Sequence, residues 1–143
     1  DVESLKVRSP LFNAIMYDKG GMSRAERELG ALAASMVNHC IYCAAVHAAR
    51  HAQLEKSTEV TDRLFRDGAD ADLGPRDRAI FDFAVALSRT PSQAGPEEMA
   101  ALKDAGLDET EVLDLILSAS LFGWANRLMH VLGDPVRLPE TAA

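Results

Sequence analysis

From Ser23 onward the apolar positions recur at helical spacing, and the interruptions are turn and cap residues with no convincing strand between them. Ser23 stands three residues before Glu26 as a capping box, and the Ala/Leu-rich run behind it predicts a helix through Val37. Asn38-His39 is a poor helix interior; a second helical pattern, rich in Ala and His, runs from Cys40 to Glu55. Ser57 and Glu59 open a short amphipathic piece with Val60, Leu64 and Phe65 on one side, closed by Gly68. Gly74-Pro75 punctuates the chain, with Pro75 suited to a first helical turn. Ile80, Phe81, Phe83, Ala84, Val85 and Leu87 then predict a mostly apolar helix ending near Thr90-Pro91. Another helix begins at Gly95-Pro96-Glu97-Glu98 and stops at Gly106. Asp108-Glu109-Thr110-Glu111 caps the last, which runs to about Leu132 before Gly133 and Pro135.

That last helix is the most apolar part of the chain, from Val112 through Leu117, Phe122 and Trp124 to Leu132. Its apolar residues cover more than one stripe, so it should be central, or covered on a second face by another subunit. The connections are short, none reads as an interdomain linker, and there is no internal repeat. The expected architecture is an all-α, single-domain helical bundle over residues 1–143.

Charge narrows the partners. A net charge of −7 disfavours nucleic acid and anionic membrane surfaces, which call for clusters of Lys and Arg. No apolar run looks long enough to cross a membrane, and the N-terminal residues lack the apolar core of a signal peptide. The chain has two cysteines, Cys40 and Cys43, spaced as a Cys-x-x-Cys pair. Such a pair in an otherwise cysteine-free chain reads as reactive rather than structural, which places the expected location in the reducing cytoplasm.

The chemistry concentrates around that pair. Cys40, Cys43 and His47 follow at spacings of three and four and so share one helix face. Both cysteines fall in the first turn, where free N–H groups and the positive dipole end favour thiolate. Glu28 lies twelve residues earlier, about 18 Å away if the helix were continuous. The break at Asn38-His39 removes that obstacle, because two helices joined by a short turn normally pack antiparallel. Glu28 then lies about 15 Å back from the break and His47 about 13 Å forward, at one level. A carboxylate, an imidazole and a thiol in file are the parts of an activated cysteine nucleophile.

Glu28, then Cys40-x-x-Cys43-x-x-x-His47, resembles the active-site motif of the alkylhydroperoxidase D-like proteins of the carboxymuconolactone decarboxylase superfamily. Ser23-Arg24-Ala25-Glu26-Arg27-Glu28, Asn38-His39-Cys40, Tyr42-Cys43 and Asn126-Arg127-Leu128 carry the resemblance across roughly residues 10 to 135. It implies a peroxidase acting on hydroperoxides, built from helical subunits as a homo-oligomer, often a trimer or hexamer. By position, Cys43 would be the peroxidatic thiol, Cys40 the resolving thiol, and Glu28 with His47 the proton relay. An external dithiol, lipoyl or thioredoxin-like, would return the electrons. Well-described members carry a second histidine just before the second cysteine; here that place is taken by Tyr42, whose phenol titrates near pH 10 and is a poor base at neutral pH.

Other readings stay beside this one: a general disulfide oxidoreductase, a noncatalytic redox-sensing oligomer, or the decarboxylase chemistry of the superfamily's other branch. No cofactor is expected. Zinc on Cys40, Cys43, His47 and His51 is disfavoured, since the set spans about 16 Å of helix and zinc ligands sit within about 2.3 Å of the metal. His39 and His51 are expected at surface or supporting positions, and Trp124 and His130 in the core or at an interface.

Overall fold

The computed structural model describes residues 1–132, all helix and connection with no strand. Seven α-helices follow in order: α1 (Val2–Tyr17), α2 (Arg24–Val37), α3 (Ile41–Glu55), α4 (Glu59–Asp67), α5 (Pro75–Ser88), α6 (Pro96–Asp104) and α7 (Glu109–Leu132), with a single 3-10 turn at Gly68–Asp70. The predicted all-α class and the six helices from Ser23 onward are present, and the caps stand where their residues announce them. Ser23 Oγ accepts from the Glu26 amide while the Glu26 carboxylate accepts from the Ser23 amide. Asp108 and Glu111 form the same reciprocal pair ahead of α7. Gly133 and Pro135, the expected stop of α7, lie outside the described residues.

The pattern predicts nothing ahead of Ser23, and there the structure adds α1. Pro10 sits inside this helix, and its apolar residues Val2, Leu5, Val7 and Leu11 are exposed, with Met16 alone buried. With no inward stripe, periodicity has no signal to detect.

The core gathers on α2, which is buried on almost every side by α3, α5 and α7. Leu29, Leu32, Ile80, Phe81, Leu102 and Leu115 fill its centre. The α2–α7 crossing is tight at Gly30: a Cβ there would stand 2.6 Å from Leu115 Cδ1. Gly30→Ala should therefore destabilise the fold by about 1 kcal/mol, overpacking exceeding the gain in helix propensity. Urea denaturation measures this, and an unmoved midpoint would mean that Leu115 yields.

Arg27 ties α1 to this centre. Its buried guanidinium donates to the carbonyls of Ile15, Asp18 and Gly20 and to Asp114 Oδ2 on α7, at 2.7–3.0 Å. Arg76 joins Glu26 of α2 to Glu111 of α7.

Helix α7 corrects one expectation: at 24 residues it is long and apolar enough, by length and composition, to cross a membrane. Its Leu115 and Ala119 pack in the core, and fully buried Asn126 bonds to Ser35 of α2. The apolar character of α7 thus serves the core on one side. Opposite it, Leu117, Trp124, Leu128 and Leu132 remain exposed. Trp124 stacks edge-on with Phe12 of α1, and the two helices border an apolar groove of about 1110 Å³.

Candidate active site

The turn between α2 and α3 sets the geometry. The Cys40 amide donates to the Ser35 carbonyl and the His39 amide to that of Met36, the paired bonds of a Schellman turn. His39 occupies the left-handed position at φ 54°, where glycine is the usual residue. Cys40 thereby becomes the N-cap of α3, and Cys43 lies at the end of its first turn.

Reversal at this turn brings α3 back along α2, and the two residues matched by counting meet. His47 Nδ1 lies 2.6 Å from Glu28 Oε2, with Glu28 2 % and His47 4 % exposed. Nδ1 faces a carboxylate oxygen, an acceptor, so it is the ring nitrogen placed to donate, and Nε2 is left free of this bond. Arg24 Nε stands 3.8 Å from the other Glu28 oxygen. Phe122 of α7 closes on the imidazole edge-to-face, ring centroids 3.9 Å apart. A charge-assisted bond shielded from water in this way holds one tautomer and one ring orientation.

Both cysteines are free thiols and both are buried, Cys40 at 5 % and Cys43 at 6 % exposure. They differ in where they face. Cys43 lines a cleft of about 330 Å³ together with His47, Glu28, Tyr42 and Phe122, whereas Cys40 does not reach it.

The helix N-terminus does not decide the state of Cys43. Burial, and then the hydrogen bond with Cys40, push its thiol up to about 11, against a smaller opposing pull from the Asn126 amide. The expectation of a resting thiolate is therefore corrected: at neutral pH this sulfur holds its proton until a base takes it. Alkylation of Cys43 by iodoacetamide should rise about tenfold per pH unit up to about pH 11. Mass spectrometry of the labelled peptide measures it, and a rate already level at neutral pH would place the thiol much lower.

The sequence marks Asn126 only through the resemblance; the structure puts it at the site. Fully buried on α7, it donates through Nδ2 to Ser35 Oγ at 3.2 Å and accepts through Oδ1 from Asn38 at 3.3 Å. With its remaining N–H it favours the Cys43 thiolate. The available signal was an amide within the most apolar helix of the chain, since a buried amide must find partners.

The other histidines divide. His39 and His130 are exposed, as is half of Trp124, so the last two are not core residues. His51 is buried, its Nδ1 unpartnered, and burial keeps its pKa below the usual imidazole value. Among the described residues, no group of three or more His, Cys, Asp or Glu side chains is placed to hold a metal ion.

The fold has counterparts among solved structures. An uncharacterised peroxidase-related protein from Silicibacter sp. TM1040 superposes with a TM-score of 0.81 at 26 % identity, over 92 % of this chain and 69 % of that one. An uncharacterised peroxidase-related protein from Ralstonia eutropha JMP134, with an alkylhydroperoxidase AhpD core, gives 0.81 at 28 % identity, over 90 % and 68 %. A protein of unknown function from Agrobacterium tumefaciens shares the fold, with a TM-score of 0.80 at 18 % identity, over 96 % and 94 %. No curated protein matches the sequence. The model of the carboxymuconolactone decarboxylase family matches residues 3–86, more than half of the chain and the whole segment that carries Glu28, Cys40, Cys43 and His47, and the chain belongs to that family.

Proposed function

We propose that the protein is a thiol-dependent peroxidase. The observation that carries this reading is Cys43, which lines a cleft beside a buried Glu28–His47 pair and has a second free thiol one helical turn behind it. Cys43 attacks the terminal oxygen of a hydroperoxide; the S–O bond forms as the O–O bond breaks, giving a sulfenic acid and an alkoxide. The thiol proton passes to His47 Nε2, directly or through a water, with Glu28 stabilising the imidazolium, and returns to the alkoxide as an alcohol. Cys40 then attacks the sulfenic sulfur, releasing water and leaving a Cys40–Cys43 disulfide. An external dithiol, lipoyl or thioredoxin-like, exchanges with that disulfide and is itself oxidised.

A base lining the same cleft fits the high Cys43 pKa. A buried thiol that ionises only as it reacts is protected from indiscriminate oxidation, and the imidazole supplies the missing acceptor. The exposed apolar face of α1 and α7 supports a homo-oligomer of such subunits, since a monomer rarely leaves so large an apolar surface uncovered. A reducing compartment such as the cytoplasm would suit a cycle that a dithiol must regenerate. The test is peroxide consumption with a dithiol donor, in the native protein and in Cys43→Ser; equal rates would overturn the reading.

A further inference from the structure

The charge lining the cleft runs opposite to the charge of the chain. Acidic residues outnumber basic ones by 22 to 15 in the sequence, yet the cleft around Cys43 is bordered by Arg8 of α1 and Arg50 of α3, and its one carboxylate is Glu28. Glu28 is already engaged by His47 and Arg24. Among the described residues, neither Arg8 nor Arg50 has a carboxylate partner; Arg24, Arg27, Arg63, Arg66, Arg76 and Arg78 do, while Arg89 and Arg127, away from the cleft, also do not.

The two arginines are held in different ways. The Arg8 guanidinium lies 4.5 Å from the Phe12 ring centroid, and its Nε is buried with no hydrogen-bond acceptor. The stack on Phe12 holds the guanidinium at the cleft edge, and with no carboxylate partner its charge is available to an incoming anion. Arg50 is exposed and anchored only through its bond to Gln53 Oε1 at 3.1 Å. Phe12, Met16, Val46 and Phe122 supply apolar wall to the same cleft, beside the polar Ser9 and Asn13. The volume of about 330 Å³ stands at the small end of organic-ligand pockets.

We infer that the cleft selects organic hydroperoxides carrying a carboxylate: Arg8 and Arg50 grip the carboxylate, the apolar walls take the carbon skeleton, and the peroxide end reaches Cys43. This rests on the peroxidase reading and deepens it. The chemistry is unchanged: the terminal peroxide oxygen goes to Cys43 sulfur, and the organic part leaves as the hydroxy acid.

Two probes of nearly equal shape separate the possibilities, cumene hydroperoxide and its para-carboxylate. The native protein should consume the carboxylate with a kcat/KM about tenfold higher at low salt, chiefly through KM, and the preference should shrink as salt screens the charges. In Arg8→Gln/Arg50→Gln the ratio should fall to about one. Arg66→Gln, on the exposed surface of α4, should keep it. Equal consumption of both probes by the native protein would overturn the selectivity and leave the peroxidase intact. If neither probe is consumed the peroxidase reading fails, and the inference is decided by binding. The corresponding cumyl alcohol and its para-carboxylate, titrated calorimetrically into the native protein and the double variant, must then show the same tenfold preference and its loss.

Discussion

Cys43→Ser is expected to bring peroxide consumption down to the uncatalysed background, a loss of roughly a thousandfold or more, because the substitution removes the atom that bonds to oxygen. A serine hydroxyl has no comparable nucleophilicity toward a peroxide at neutral pH, and the hydroxyl has no sulfenic chemistry to hand on to Cys40. The fold should survive, since the site is small, largely buried and already surrounded by Asn126 and Ser35. Cys40→Ser should behave differently. Its Cys43 still reacts once, so a single equivalent of peroxide disappears and a sulfenic acid accumulates that dimedone can trap. Stopped-flow peroxide traces with intact-mass analysis distinguish the two variants. If instead Cys40→Ser abolished the first turnover and Cys43→Ser kept it, the roles of the two sulfurs would be exchanged.

Glu28→Gln should lower kcat/KM by about a hundredfold, within the usual range for loss of a proton-transfer group. The amide keeps an oxygen to accept from His47 Nδ1 across the 2.6 Å contact, so the ring stays in place. What disappears is the negative charge that stabilises the imidazolium while the proton of a thiol near 11 is in transit. Iodoacetamide labelling of Cys43 at neutral pH should slow along with turnover. An unchanged rate in both assays would remove Glu28 from the relay. Glu28→Ala is the less informative change, because leaving His47 Nδ1 without its acceptor in a buried site adds a structural loss of about 1–3 kcal/mol.

These outcomes depend on a balance that position along a helix does not reveal. Cys43 stands in the first turn of α3, where dipole and free amides favour thiolate, and from spacing alone it reads as an easily ionised nucleophile. The structure buries it beside Cys40, and loss of water costs the charged form more than the helix end returns. Burial is a property of what α7 and α1 bring against that turn, and neither is local in sequence. Asn126 and Phe122 reach the site from about eighty residues downstream. Arg8 and Phe12 reach it from α1, which carries no inward apolar stripe to announce it.

The sequence by itself determined the helices from Ser23 onward, their caps, and the antiparallel return that sets Glu28 against His47. Each of these follows from short-range rules: hydrophobic period, N-cap chemistry, and the fixed rise of a helix on either side of a three-residue turn. Tertiary structure alone decided which sulfur faces the cleft, how strongly that sulfur holds its proton, and that two arginines with no carboxylate partner among the described residues border the cleft of an otherwise acidic chain. Those are matters of solvent exclusion and of charge brought together from distant helices, and no count along the chain contains them.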